Sequence, residues 1–223
     1  MTVEWEEFLD PYIQAVGELK IKLRGIRKQF RKQNRHSPIE FVTGRVKSVE
    51  SILEKMALRG IKEENVAQDL QDIAGLRIMV QFVDDVDDVL ELLRHRQDMM
   101  IVYERDYIRN MKASGYRSYH VVIEYPVDTI DGQKTILAEI QIRTLAMNFW
   151  ATIEHSLNYK YKGEFPSEIK QRLETTAKIA LELDEEMRKI KKDIQEAQLL
   201  FDPVSRTLND GVGNSDDTDE LFR

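Results

Sequence analysis

Two acids and a group of cations are spaced to act on phosphate. Asp72 stands at the start of one alternating apolar run and Glu139 in the middle of another, and the chain also carries Arg45, Lys47, Lys55, Arg77, Arg105, Lys112 and Arg143. Two carboxylates on neighbouring strands can share one Mg2+ with phosphate oxygens. Cations neutralise the oxygens of a phosphoryl group in transfer. Together they point to a triphosphate substrate, although Asp72 alone has a plainer role open to it as a turn cap. The stretch Lys112-Ala-Ser-Gly-Tyr-Arg-Ser-Tyr-His120 has the ingredients of a nucleotide loop. Gly115 permits close backbone approach, Lys112 adds charge and Tyr116 offers a flat face to a base.

These residues need strands to bring them together. Ile73 to Phe82 alternates, with Leu76, Ile78, Val80 and Phe82 on one face and Gly75, Arg77, Met79 and Gln81 on the other. Further strands are expected at Met100–Tyr103, Tyr116–Tyr125 and Thr135–Arg143, the last two joined at an Asp131-Gly132 turn. Period two places Tyr116, Ser118 and His120 on one face, and Glu139, Gln141 and Arg143 on one face. A sheet face bearing Arg77, His120, Glu139 and Gln141 is either a site or a salt-bridged outer surface.

Helical spacing marks Trp5 to about Gln33, where Asp10-Pro11 is a possible restart, then Ser48 to Ala57, Asp84 to Arg96, Leu145 to Tyr161 and Pro166 to about Phe201. The segment His36 to Arg45 reads as a loop because of Pro38 and Gly44. The last helix carries a heptad-like stripe of Leu173, Thr176, Ala180, Leu183, Met187, Ile190, Ile194, Ala197 and Phe201, long enough to pair with another helix. The expected organisation is a basic amphipathic helix at 1–35, a catalytic domain at 36–165, an oligomerisation helix at 166–202 and a disordered acidic tail at 203–223.

With 223 residues, 42% hydrophobic, one substantial core is expected. The absence of cysteine excludes thiolate chemistry and disulfides. No signal-like or membrane-spanning run is visible, so a cytoplasmic protein is expected. The net charge of -7 speaks against a dedicated duplex-DNA binder. Its distribution is uneven, because Lys20 to Arg35 contains eight cations and no acid. That run is either a solvated face or a polyanion patch.

The blocks Asp72-Ile-Ala-Gly-Leu-Arg77, Arg105-Asp-Tyr-Ile108, Lys112 to His120, Glu139-Ile-Gln-Ile-Arg-Thr144 and Trp150-Ala-Thr-Ile-Glu-His155 resemble, in that order, the synthetase domain of Rel/SpoT-type alarmone enzymes. The resemblance covers about residues 35 to 165, and the short length with flanking helices resembles the small alarmone synthetases of the RelQ type. It implies an α+β fold with a nucleotidyltransferase-like mixed sheet of about five strands, and pyrophosphate transfer from ATP to the 3′-hydroxyl of GDP or GTP.

The same resemblance implies residue roles. Asp72 and Glu139 would bind Mg2+, with Glu139 also a general base. Arg45 and Arg77 would stack on adenine, and Lys47 and Lys55 would contact the ATP phosphates. Tyr116 would stack on guanine, with Arg105, Lys112, His120, Gln141 and Asn148 lining the acceptor side. A homotetramer is also implied, with Lys20 and Arg24 facing Glu40, Phe41, Thr43 and Gly44 of a neighbour and pppGpp as an activating ligand there. Single-stranded RNA is a second candidate for that patch. None of the four histidines is followed by Asp, so no hydrolase activity is expected. Tyr103-Glu104-Arg105-Asp106 departs from the long enzymes' pattern, which leaves the choice between GDP and GTP open. The rivals are a non-catalytic nucleotide- or RNA-binding regulator on this fold and a nucleotidyltransferase that releases pyrophosphate.

Overall fold

The computed structural model describes residues 4–161 and 166–201, apart from the side chains of Tyr159, Lys160, Leu200 and Phe201. In chain order the elements are α1 (Trp5–Lys32), β1 (Phe41–Val46), α2 (Val49–Arg59), a 3-10 turn at Glu63–Asn65, α3 (Val66–Asp69), β2 (Ala74–Val80), α4 (Asp85–Arg94), β3 (Met100–Asp106), β4 (Tyr119–Thr129), β5 (Gly132–Thr144), α5 (Leu145–Lys160) and α6 (Ser167–Phe201). The strands form one mixed sheet in the order β1-β2-β5-β4-β3. Only the central β2–β5 pair is parallel. The acidic tail expected at 203–223 lies outside the described residues.

The loop reading of His36–Arg45 is corrected: its second half is the edge strand β1. Glycine inside a strand weakens it unless another chain segment must come close, and here one does. A Cβ on Gly44 would stand 3.0 Å from Val16 Cγ1 and 3.3 Å from Lys20 Cδ of α1. The third expected strand also begins later, at Tyr119 rather than Tyr116. Arg117, which alternation points away from the site, is drawn there into an ion pair with α6.

One face of the sheet is apolar. Val42, Leu76, Ile78, Ala138, Ile140, Ile142, Val121 and Ile123 are buried there, and Tyr12, Ala15, Val16, Leu19 and Leu23 of α1 belong to the same cluster. That spacing of three and four is the buried stripe of an amphipathic helix. It runs through Pro11 without a break, so the possible restart at Asp10 is not used and α1 is one helix of 28 residues. Ile52 and Met56 of α2, and Val86, Val89, Leu90 and Leu93 of α4, complete the core.

Local chemistry sets the ends. Ser48 caps α2 by accepting from the Ser51 N–H at 3.3 Å, and α2 stops at Gly60, which is left-handed at φ 65°. Thr144 caps α5 by accepting from the Met147 N–H at 3.1 Å. The caps matter because Lys47 and Lys55 flank the first and Glu139, Gln141 and Arg143 lead into the second.

Two compact units divide after Glu185. In the first, α6 buries Ala177 and Asp184, while of the expected stripe Leu173 and Ala180 pack against the Trp150 cluster and Leu183 is exposed. In the second, Met187, Ile190 and Ile194 are exposed. Among the described residues no helix is long and apolar enough to cross a membrane.

Candidate active site

Strand register builds the site. Across the whole sheet, Thr43 pairs with Arg77, Arg77 with Gln141, Gln141 with His120 and His120 with Arg105. The adjacent row runs from Arg45 to Gly75 to Glu139 to Val122. Side chains at paired positions share a face, so alternation in five short segments becomes one polar belt opposite the α1 core.

At its centre five side chains close a ring of hydrogen bonds. Arg143 Nη2 donates to Tyr116 Oη at 2.6 Å and to Gln141 Oε1 at 2.7 Å. Gln141 Nε2 donates to Glu139 Oε2 at 2.7 Å. On the other arm, Tyr116 Oη lies 2.8 Å from His120 Nε2, and His120 Nδ1 lies 2.9 Å from Glu139 Oε1. The network is satisfied with the imidazole proton on Nδ1 and the phenol donating to Nε2, since a carboxylate only accepts. Burial pushes the Tyr116 hydroxyl up, which keeps its proton. Burial also pushes Glu139 up, but the bonds from His120 and Gln141 outweigh it and hold the carboxyl below its ordinary value. Glu139 is thus fixed in place and ionised, with one lone pair on each oxygen still free.

Beside the ring is a cleft of about 250 Å³ lined by Thr43, Gly44, Arg45, Lys47, Asp72, Gly75, Leu76, Arg77, Glu139 and Gln141. Lys47 Nζ is 2.7 Å from Asp72 Oδ2 and Lys55 Nζ is 2.7 Å from Oδ1. Burial works to raise the Asp72 carboxyl, yet the two ammoniums hold it below its ordinary value. Burial together with Arg143 and Arg45 lowers the Arg77 guanidinium. Three guanidiniums crowded into one face are a place made for anions. The charge on Asp72 in turn pushes on Glu139. Two like charges held in one half-buried cleft are relieved by a hard divalent cation, and two carboxylates plus phosphate oxygens suit Mg2+. Among the described residues no group of three or more acids and histidines is arranged to hold a metal.

A second cluster flanks the ring. Lys112 Nζ lies 4.4 Å from the Tyr107 ring centroid and 5.0 Å from that of Tyr116, and Arg105 stands 4.6 Å over Tyr103. Tyr107 meets His120 edge-on at 5.2 Å. The structure therefore gathers Arg45, Lys47, Lys55, Asp72, Arg77, Glu139 and Gln141 on one side and Arg105, Lys112, Tyr116 and His120 on the other. It does not tie Asn148 to either: Asn148 sits in the first turn of α5 with a buried Oδ1 that makes no hydrogen bond among the described residues.

Lys20 and Arg24 lie against their own chain's β1. Arg24 Nη2 donates to the Val42 carbonyl at 3.2 Å, and Lys20 abuts Gly44. Glu40 is bonded by Arg27 and Gln81, Phe41 is 40% exposed, and Thr43 and Gly44 fall in the cleft itself. Sequence reasoning undervalued Arg143, which it placed on one face with Glu139 and Gln141 but gave no role beyond its charge. It also passed over Tyr107, whose signal was its place between Arg105 and Lys112.

Residues 44–164 match the family described as "Region found in RelA / SpoT proteins". The GTP pyrophosphokinase YjbM of Bacillus subtilis is 58% identical over 198 residues, 89% of this chain and 93% of that protein. A GTP pyrophosphokinase family protein from Streptococcus pneumoniae superimposes with a TM-score of 0.84 at 78% identity, covering 91% of this chain and 100% of that one. The small alarmone synthetase 1 from Bacillus subtilis has been solved bound to its product pppGpp, with a TM-score of 0.83 at 58% identity over 86% of this chain and 98% of that one. The same synthetase bound to AMPCPP gives 0.77 at 53% identity over the same shares.

Proposed function

The chain belongs to the RelA/SpoT family, and from that premise we propose that it is a small alarmone synthetase, a GTP pyrophosphokinase that moves pyrophosphate from ATP to the 3′-hydroxyl of GDP or GTP. The observation that carries the reading is the closed ring that holds Glu139 ionised at the edge of a cationic cleft. The relatives' bound AMPCPP and pppGpp support one adenine and one guanine subsite.

The donor occupies the cleft. Arg45 and Arg77 stack on adenine, where a guanidinium plane gains both dispersion and cation–π attraction. Lys47 and Lys55 exchange Asp72 for phosphate oxygens, a small movement for flexible ammoniums. The acceptor lies toward Tyr116, its base on the ring and its phosphates near Lys112 and Arg105. Glu139 takes the proton of the 3′-hydroxyl. The new bond joins O3′ to the β-phosphorus of ATP, the α–β bridge breaks, and AMP leaves with the bridging oxygen. Asp72 and Glu139 are the residues that would hold Mg2+, which would supply neutralisation of the charge on the transferred group. His120 and Gln141 keep Glu139 aimed, and Arg143 holds both arms of the ring.

Finer features belong to the same proposal. A homotetramer is supported by the exposed Met187, Ile190 and Ile194. An effector site for pppGpp, or for single-stranded RNA, at Lys20 and Arg24 is supported by their position on α1 against β1, next to Thr43 and Gly44 of the cleft. A cytoplasmic location suits the nucleotide substrates.

The test is ion-exchange separation of nucleotides after incubation of the purified protein with ATP, Mg2+ and GDP or GTP, alongside Asp72→Asn. AMP and (p)ppGpp in equal amounts, abolished in the variant, support the reading; ATP left untouched by the wild type overturns it.

A further inference from the structure

The loop that carries Lys112 and Tyr116 is held by more than the sheet. Gly115 lies at φ 90°, and a Cβ on it would come 2.3 Å from Ala177 Cβ and 3.6 Å from Trp150 Cζ2. Two residues later Arg117 turns away from the polar face. Its Nη1 donates to Asp184 Oδ2 at 2.9 Å, and the two side chains are 4% and 5% exposed. Ala177 and Asp184 are about two helical turns apart and so lie on one face of α6. The Trp150 indole N–H is shared between the Leu173 carbonyl and Thr176 Oγ1, both at 3.1 Å, which ties α5 to the same stretch. Tyr116 sits between these anchors and packs on the cluster of Trp150, Ala151 and Ala177.

A buried ion pair is weak evidence for stability but is well suited to fixing one geometry. Here it fixes the residue next to Tyr116. The donor cleft, in contrast, has no α6 residue in its lining. We propose that the Leu173–Asp184 segment of α6 is a positioning element for the guanine nucleotide, with Ala177 and the Arg117–Asp184 pair holding residues 111–118 so that Tyr116 and Lys112 face the acceptor. This rests on the reading of the site as a synthetase with separate adenine and guanine subsites. It makes acceptor recognition depend on the seating of α6 while donor recognition does not.

The test uses the full chain with a graded series, Ala177→Ser, Ala177→Val and Ala177→Leu, and with Lys178→Ala on the exposed side of α6 as the control. Each added heavy atom is expected to push Gly115 further off the helix. The KM for GDP and for GTP is expected to rise stepwise, by about tenfold or more at the larger residues, with the KM for ATP held within about twofold. Asp184→Asn is expected to shift the acceptor KM in the same direction. Circular dichroism melts identify folded variants, and Ala177→Val with Asp184→Asn carry the test if Ala177→Leu does not fold. Calorimetric titration of GDP in the absence of ATP reads the same loss directly. An unchanged GDP affinity in folded Ala177→Val, or equal losses for ATP and GDP, overturns the proposal. Failure of the wild type to make (p)ppGpp instead overturns the reading of the site, and the GDP titration still decides the role of α6.

Discussion

Glu139 receives a bond on each oxygen, from His120 and from Gln141, and both bonds trace back to Arg143. Glu139→Gln keeps the shape but cannot take a proton, so kcat is expected to fall by about a thousandfold, roughly 4 kcal/mol of barrier, with nucleotide binding retained in calorimetric titrations. The pH dependence follows from the same bonds. A carboxyl held below its ordinary value stays ionised further into acid, so the acid limb of kcat/KM lies low in the wild type. Removing the His120 bond leaves burial as the larger influence and raises that carboxyl. The acid limb of His120→Ala is therefore expected to move to higher pH, and an unmoved limb would show that His120 does not tune Glu139. These residues were legible in the sequence because period two alone brings Arg77, His120, Glu139 and Gln141 to one face. The bonds among them were not, since they depend on how three strands pair.

At the scale of elements, what the sequence could show was set by punctuation. β2, β4 and β5 announced themselves by alternation, and α1 by its stripe. β1 was hidden by Pro38 and Gly44, and its glycine is explained only by the helix lying on it. Filling that space is a direct check of the packing. Gly44→Leu is expected to destabilise the fold by about 1–3 kcal/mol in urea unfolding, through overpacking against Val16 and Lys20. Leu19→Ala, which empties the same interface, is expected to cost about 2–5 kcal/mol. The turn of Arg117 into α6 lay beyond any local pattern, because its partner Asp184 is 67 residues away. The fully buried face of α6 is offset from the expected heptad stripe for this reason: Ala177 and Asp184 answer to Gly115, Arg117 and Trp150 of α5, while Leu173 and Ala180 of the stripe pack beside them.

On the scale of the whole molecule, the proposed function divides labour between a sheet that would align two nucleotides and helices that hold its edges. The exposed Met187, Ile190 and Ile194 take no part in the hydrogen-bonded ring, so replacing all three by Ser is expected to lower the molar mass seen by light scattering while the sheet's melting transition persists. An unchanged mass would remove this segment from any assembly. The fate of the β- and γ-phosphates separates pyrophosphate transfer from its rivals, and it is read by incubating the protein with Mg2+, GDP and ATP labelled at the γ-phosphate. The label is expected in the guanosine product, on its 3′ arm, with unlabelled AMP formed in equal amount. Label recovered as free pyrophosphate or orthophosphate, with GDP unchanged, would contradict it.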